Sequence, residues 1–220
     1  MSRAVITKEE LAENIDKELS WRKKELEVFK LTIPTDNSSK QKVLLRCAIP
    51  IIYAHWEGFV KKSCELYLEY VSSKNEVLKE LKPQFIALAL RQSIQVQQIN
   101  KIEERTKAVE FIINNLDLSA NIPIKNIIKT KSNLKFEVFK DICQILCIDI
   151  EPFSKKDAVI DDLVNTRNTI AHGNYQNISY KMFCDFYNDT VTLLETLRTE
   201  LENATALDNH KRNSICSSTK

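Results

Sequence analysis

The run Arg167-Asn168-Thr169-Ile170-Ala171-His172-Gly173 sets a guanidinium and an imidazole five residues apart, with the carboxamides of Asn165 and Asn168 beside them. An imidazole gives and takes a proton near neutral pH. An arginine fork, planar and always charged, bridges two phosphoryl oxygens as charge builds on them. These are the groups that metal-free RNA cleavage requires, because there the ribose 2′-hydroxyl is the nucleophile and the protein supplies only proton transfer and charge stabilisation. That chemistry calls for no cofactor and no metal. One imidazole acts once per step, so acid and base would come from the two His172 side chains of a homodimer, or one role would pass to water. Asn168 would position the phosphate or the imidazole.

The placement of the pair is unusual. Val159, Ile160, Leu163 and Val164 recur at helical spacing, and Arg167 takes the next position on that apolar stripe, where a leucine is expected. His172 directly precedes one of only two glycines, Gly173, and a glycine after the last periodic residue is a helix stop. Asn165, Asn168 and His172 then share one face. Within one helix five residues separate Arg167 from His172 by roughly 7.5 Å along the axis and about 140° around it, neighbours and not partners. Two copies facing each other across a two-fold axis would close that gap. The plain alternative is an Arg167 paired with a carboxylate and a His172 that only caps the helix.

The segment DDLVNTRNTIAHGNY (residues 161–175) resembles the Arg-x4-6-His signature of HEPN domains. Two more segments, YAHWEGFVKKSCELYLEYV (53–71) and SNLKFEVFKDICQILCID (132–149), resemble the branch of that superfamily found in bacterial and archaeal toxin and defence loci. The resemblance runs over roughly residues 40–200, in the expected order. It implies an all-α helical bundle with two long antiparallel helices plus shorter ones, a dimer, and an RNA endonuclease that works without metal. It also implies Arg167, Asn168 and His172 as the catalytic set, RNA as substrate, and a cognate antitoxin or defence protein as a further partner. Tyr175 is an accessory candidate, standing at His-x-x-Tyr where some branches have His-x-Tyr.

The composition agrees with a helical domain. Two glycines and five prolines in 220 residues argue against strand-turn-strand architecture. They also exclude a Gly-rich phosphate loop, a dinucleotide fingerprint and a nucleophile elbow. With 32 basic against 30 acidic residues the chain is not a non-specific duplex-coating protein, so nucleic-acid contacts must be local. Lys125, Lys129, Lys131, Lys135 and Lys140 form one basic patch and Arg22, Lys23 and Lys24 a smaller one, each also readable as a solvated helix face. Six cysteines without a preceding signal peptide point to the reduced cytoplasm. Cys143 and Cys147 read as core residues, there being no second Cys/His pair at zinc spacing. The apolar run Ile49 to Ile52 is too short to span a bilayer.

The elements that must carry the motif follow from caps and stripes. Thr7-Lys-Glu-Glu10 is a capping box that opens a helix over 8–31, whose stripe includes Arg22. A second helix spans 39–73 with Ile49, Ile52, Tyr53, Trp56, Val60, Cys64, Tyr67 and Val71 inside, and Pro50 should kink it. One or two short helices broken at Pro83 fill 75–100, and another covers 101–117. Residues 118–131 are irregular, and helices follow over 133–147, 156–172 and 179–204. Residues 1–205 form one domain and 206–220 a disordered tail.

Glu57 lies beside the second helix's stripe, one turn from Tyr53 and Lys61. It either pairs with Lys61 or orients and charges the Arg167/His172 cleft. His55 reads as a helix-face histidine. Two other functions compete with the ribonuclease: a HEPN-like dimerisation or partner-binding scaffold that has kept the motif, and a nucleotide-binding bundle that clamps phosphate with Arg167. The intact Arg-Asn-x3-His favours catalysis over the first. The lack of a Gly-rich cradle weighs against the second.

Overall fold

A computed structural model describes residues 4–91 and 102–212 and is all-helical among them. Its helices are α1 (Lys8–Thr32), α2 (Ser39–Ser73), α3 (Pro83–Ala89), α4 (Ile102–Asn115), α5 (Phe136–Leu146), α6 (Asp157–Ala171) and α7 (Tyr180–Ala206), with 3-10 turns at Leu78–Glu80 and Glu151–Phe153. Each long helix begins on a side-chain cap: the Thr7/Glu10 capping box for α1, Ser38 for α2 and Ser179 for α7. Helix α2 stays continuous through Pro50.

Contacts at the helix ends fix the directions. Ile6 N donates to Ser73 Oγ (3.0 Å) and Lys74 Nζ to Ile6 O (2.8 Å), so the start of α1 meets the end of α2 and the two long helices are antiparallel. Lys8 pairs with Asp208 at 3.2 Å, Arg198 with Asp16, and Lys23 with Glu195, which makes α7 antiparallel to α1. Helix α6 runs against α2, its Arg167 reaching Tyr53 and the loop after it reaching Arg46. These four helices enclose the core, with α2 packed against α1, α6 and α7 at once. By length and composition α2 could cross a membrane; half of its most apolar window is buried in this core.

One aromatic ladder positions the motif helix. Trp56 of α2 meets Phe139 of α5 edge-on at 5.1 Å, and Phe139 meets Phe153 at 4.9 Å, all three fully buried. Phe153 ends the turn from which α6 starts. Since α6 has no side-chain N-cap, the Lys156–Asp189 ion pair at 2.8 Å ties its start to α7 instead.

Several expectations need correction. Residues 207–212, read from the sequence as part of a disordered tail over 206–220, fold back on the domain: Lys82 N donates to His210 O (2.9 Å) and Arg212 N to Glu80 O (2.7 Å), and Lys211 pairs with Glu76. Backbone pairing, which leaves no hydrophobic period, holds this segment, and His210 is buried between Tyr70 and Phe85. Residues 213–220, and the part of the expected 75–100 helical stretch from 92 onward, lie outside the described residues. The Arg22-Lys23-Lys24 patch does not exist as such. Arg22 is buried, bonded to Glu18 and laid over Trp21, and Lys23 is spent on Glu195. Gly58 makes room for Arg22, since a Cβ there would stand 2.8 Å from its guanidinium. His55 is buried on the same side, against Trp21 and 3.7 Å from Glu25, with burial holding its imidazole below the ordinary histidine range.

Candidate active site

Arg167 is half-buried and is held without a carboxylate. Its Nη2 donates to the carbonyl of Ser132 at 2.8 Å, and its guanidinium carbon lies 3.9 Å from the centroid of the Tyr53 ring. Its Nε is buried without a partner, and among the described residues no acidic group lies within 4 Å of the guanidinium. The expected alternative of an Arg167–carboxylate pair is therefore not what the fold builds. A cation set against a π face and a carbonyl keeps its charge for an outside anion.

Asn168 is anchored to the same loop, its Nδ2 donating to Asn133 Oδ1 at 2.9 Å. The next residue completes the contact: Leu134 N donates to the Tyr53 hydroxyl at 2.8 Å. Phe136 N donates to Asp161 Oδ1 at 2.8 Å, so the 132–136 strip is stitched to α6 and α2. Lys131 and Ser132 both lie in the left-handed region (φ 54° and 57°), a conformation L-residues adopt at a cost and one that turns the Ser132 carbonyl onto Arg167. Burial pushes the Tyr53 phenol above its ordinary range, opposed by the bond from Leu134, so the ring stays neutral beside the cation.

His172 is the C-cap residue of α6 and is exposed. A Schellman turn fixes the backbone around it: Gly173 N donates to Ile170 O (3.0 Å) and Asn174 N to Thr169 O (3.1 Å), with Gly173 at φ +79°. Its imidazole has no hydrogen bond or ion pair among the described residues. Asn165 is exposed two turns earlier on the same helix. The fold thus orders Arg167 and Asn168 against one loop and leaves His172 and Asn165 facing outward. Tyr175 is 73% exposed, with the Arg46 guanidinium over one face of its ring (5.2 Å from guanidinium carbon to centroid), and Arg46 also donates to Asn174 O at 3.3 Å.

Glu57 does not form the expected pair with Lys61; among the described residues it is also beyond ion-pair distance of Arg167, and its charge is felt by Tyr53 one turn away, the ring on which Arg167 lies. Three contributors escaped the sequence reading. Tyr53 counted as core, Arg46 resembles any cation on a helix surface, and the 132–134 loop has no periodicity. The one available hint was spacing, since Arg46, Tyr53 and Glu57 recur at i, i+7 and i+11 on one side of α2.

Lys125, Lys129, Lys131 and Lys135 are exposed on the loop that reaches Arg167, with Lys131 4.0 Å from Asp141. Lys140, the fifth lysine of the patch, lies on α5 and pairs with Glu137 at 3.6 Å, so it is the loop part of the basic patch that adjoins the motif. Among the described residues no group of three or more His, Cys, Asp or Glu is placed to hold a metal ion.

An antiparallel helical bundle with Arg-Asn-x3-His at the end of an inner helix is the HEPN arrangement. The chain belongs to the HEPN superfamily, matching the RiboL-PSP-HEPN family over residues 17–203. This places it among RNA-associated domains that are commonly ribonucleases. No curated protein and no solved structure matches it.

Proposed function

We propose that this protein is a metal-independent RNA endonuclease of the toxin or defence type. The observation that carries the reading is the Arg167 guanidinium, held in place yet left without a carboxylate, on the helix that ends at the exposed His172. Arg167 would hold two non-bridging oxygens of the scissile phosphate, and Asn168 would keep the 132–134 loop in register with it. His172, or its counterpart in a second copy, would take the proton of the 2′-hydroxyl. The 2′ oxygen then bonds to phosphorus, the bond to the 5′ oxygen breaks, and the departing alkoxide receives a proton from the other imidazole or from water. The products are a 2′,3′-cyclic phosphate and a 5′-hydroxyl end. The lysines at 125, 129, 131 and 135 give the RNA backbone a basic approach to Arg167.

A homodimer belongs to the same reading. Val43 (60% exposed), Cys47 and Ala54 form an exposed apolar stripe on the side of α2 next to Arg46, and Ala171 is exposed beside His172. Such a stripe suits a second copy, which would bring two motifs to one cleft.

The test is digestion of single-stranded RNA by purified protein in excess EDTA, alongside His172→Ala. Cleavage that survives chelation, leaves cyclic phosphate ends and disappears in His172→Ala is expected. Strict Mg²⁺ dependence, 5′-phosphate products or a fully active His172→Ala protein would overturn the proposal.

A further inference from the structure

Beside the motif loop lies a cleft that the chemistry above does not use. It opens between the start of α2 and the loop joining α6 to α7, and has a volume of about 750 Å³, within the range of small-molecule sites. Leu45 and Ile178 floor it, Tyr175 and Tyr180 bring two aromatic rings, and Gln41 and Asn177 bring carboxamides. Lys42 stands on its wall, and among the described residues no acidic side chain lines it.

Three observations point to one kind of occupant. Gln41 is only 5% exposed, and its side-chain amide, which makes no hydrogen bond among the described residues, meets solvent in the cleft, where it offers an edge that both donates and accepts. Tyr175 is backed on one ring face by the Arg46 guanidinium while the residue as a whole is 73% exposed, the arrangement of a one-sided stacking platform rather than of a core residue. Lys42 has no ion pair among the described residues and supplies a cation where a flanking phosphate would lie. A planar heterocycle with polar edges, attached to an anion, meets all three demands. An apolar peptide side chain meets none of them.

We propose that this cleft is the subsite for one unpaired base of the RNA, adjoining the phosphate carried by Arg167 and His172. Tyr175 lies three residues after His172, joined to it by the Schellman turn, so the stacked base and the scissile phosphate belong to neighbouring nucleotides of one strand. The inference rests on the ribonuclease reading and narrows it. The substrate is single-stranded at the cut, because a base can enter the cleft only when splayed from its stack, and the carboxamides of Gln41 and Asn177 make the site base-selective.

The test separates this claim from the one beneath it. Binding of the full-length protein to a short fluorescent single-stranded oligonucleotide with 2′-fluoro riboses, which lacks the nucleophile, is measured for the wild type, Tyr175→Ala, Tyr175→Phe and His172→Ala. Digestion of the all-ribose strand is followed in parallel. Loss of one base–aromatic stack weakens binding roughly 5- to 150-fold. That loss is expected for Tyr175→Ala, with Tyr175→Phe close to wild type and His172→Ala binding normally while cutting nothing. RNA digestion by the wild type, with Tyr175→Ala binding and cutting as well as it does, would overturn the subsite and leave the ribonuclease standing. Tyr175-dependent binding with no digestion by any form would support the subsite and overturn the ribonuclease. No binding of the oligonucleotide by the wild type would overturn the subsite.

Discussion

Arg167 lies on the face of Tyr53, 3.9 Å from guanidinium carbon to ring centroid, with a peptide carbonyl and no carboxylate as its other partner. The stability consequence of removing it follows from that geometry. A buried arginine paired with a carboxylate leaves a stranded charge when truncated, at roughly 3–5 kcal/mol. Arg167→Ala strands nothing charged and gives up a cation–π contact and one hydrogen bond to a carbonyl, so a loss of about 1–2 kcal/mol is expected. Its activity should fall on the order of 10²- to 10³-fold, as when one transition-state donor is removed. Arg167→Lys should recover stability better than rate, because an ammonium lacks the two-pronged fork. Thermal melts and RNA digestion on both variants check the split. A loss of several kcal/mol with no effect on cutting would make Arg167 a structural residue.

Tyr53→Phe tests how the loop is held. The ring and its contact with Arg167 remain, but the Leu134 N–H, buried with the fully buried Leu134, loses its acceptor. An orphaned buried donor costs roughly 1–3 kcal/mol. The expected signature is a lowered melting temperature together with faster amide exchange over residues 132–136. If the loop is what aligns Arg167, turnover falls while substrate binding changes little. Unchanged exchange in that strip would show that Tyr53 does not secure it.

The frame was legible because helices announce themselves locally. The capping box at Thr7 and the stripe from Ile49 to Val71 place α1 and α2 within a residue of their observed ends. The motif helix was equally plain, and Gly173 marked its stop. What surrounds Arg167 was not legible. Ser132 and Asn133 lie 35 residues before the groups they bond, in a loop without period, and the Ser132 contact uses a carbonyl that every residue possesses. Tyr53 was hidden by being apolar enough for the stripe while spending its hydroxyl on Leu134. Glu57 misled in the opposite direction: its spacing to Lys61 permits a pair that α2 does not form. The 207–212 segment shows the same limit, since nothing in its residue types signals that their backbone pairs with residues 80–82.

His210 gives the domain an acid-sensitive contact. Both ring nitrogens are buried without partners between Tyr70 and Phe85, and burial lowers its pKa from 6.5 to about 4. Between those values the unfolded chain binds a proton that the folded chain refuses. The stabilising contribution is therefore complete above pH 6.5 and is lost as the pH falls toward about 4, by up to about 3 kcal/mol. His210→Phe should flatten that part of the stability–pH curve while leaving the carboxylate-driven part intact. Parallel curves for the two proteins through the window would show that His210 titrates normally in the fold.

Gly173 is where the backbone conformation and the proposed chemistry meet. It stands at φ +79°, and a Cβ built there would find no heavy atom within 4 Å, so any penalty for a side chain comes from the backbone alone. Left-handed backbone costs an L-residue roughly 1–2 kcal/mol, less for asparagine, which tolerates it, and more for a β-branched side chain. The ordered expectation is Gly173→Asn close to wild type, Gly173→Ala destabilised by about 1 kcal/mol, and Gly173→Val destabilised further. Activity should fall more steeply along that series than stability does. The Schellman bonds from Gly173 to Ile170 and from Asn174 to Thr169 are what keep the exposed His172 at a fixed place on the end of α6, and fraying that turn frees the imidazole before it unfolds the domain. Digestion rates set against melting temperatures for the three variants provide the check. A Gly173→Val protein that cuts RNA at the wild-type rate would show that the turn does not position His172.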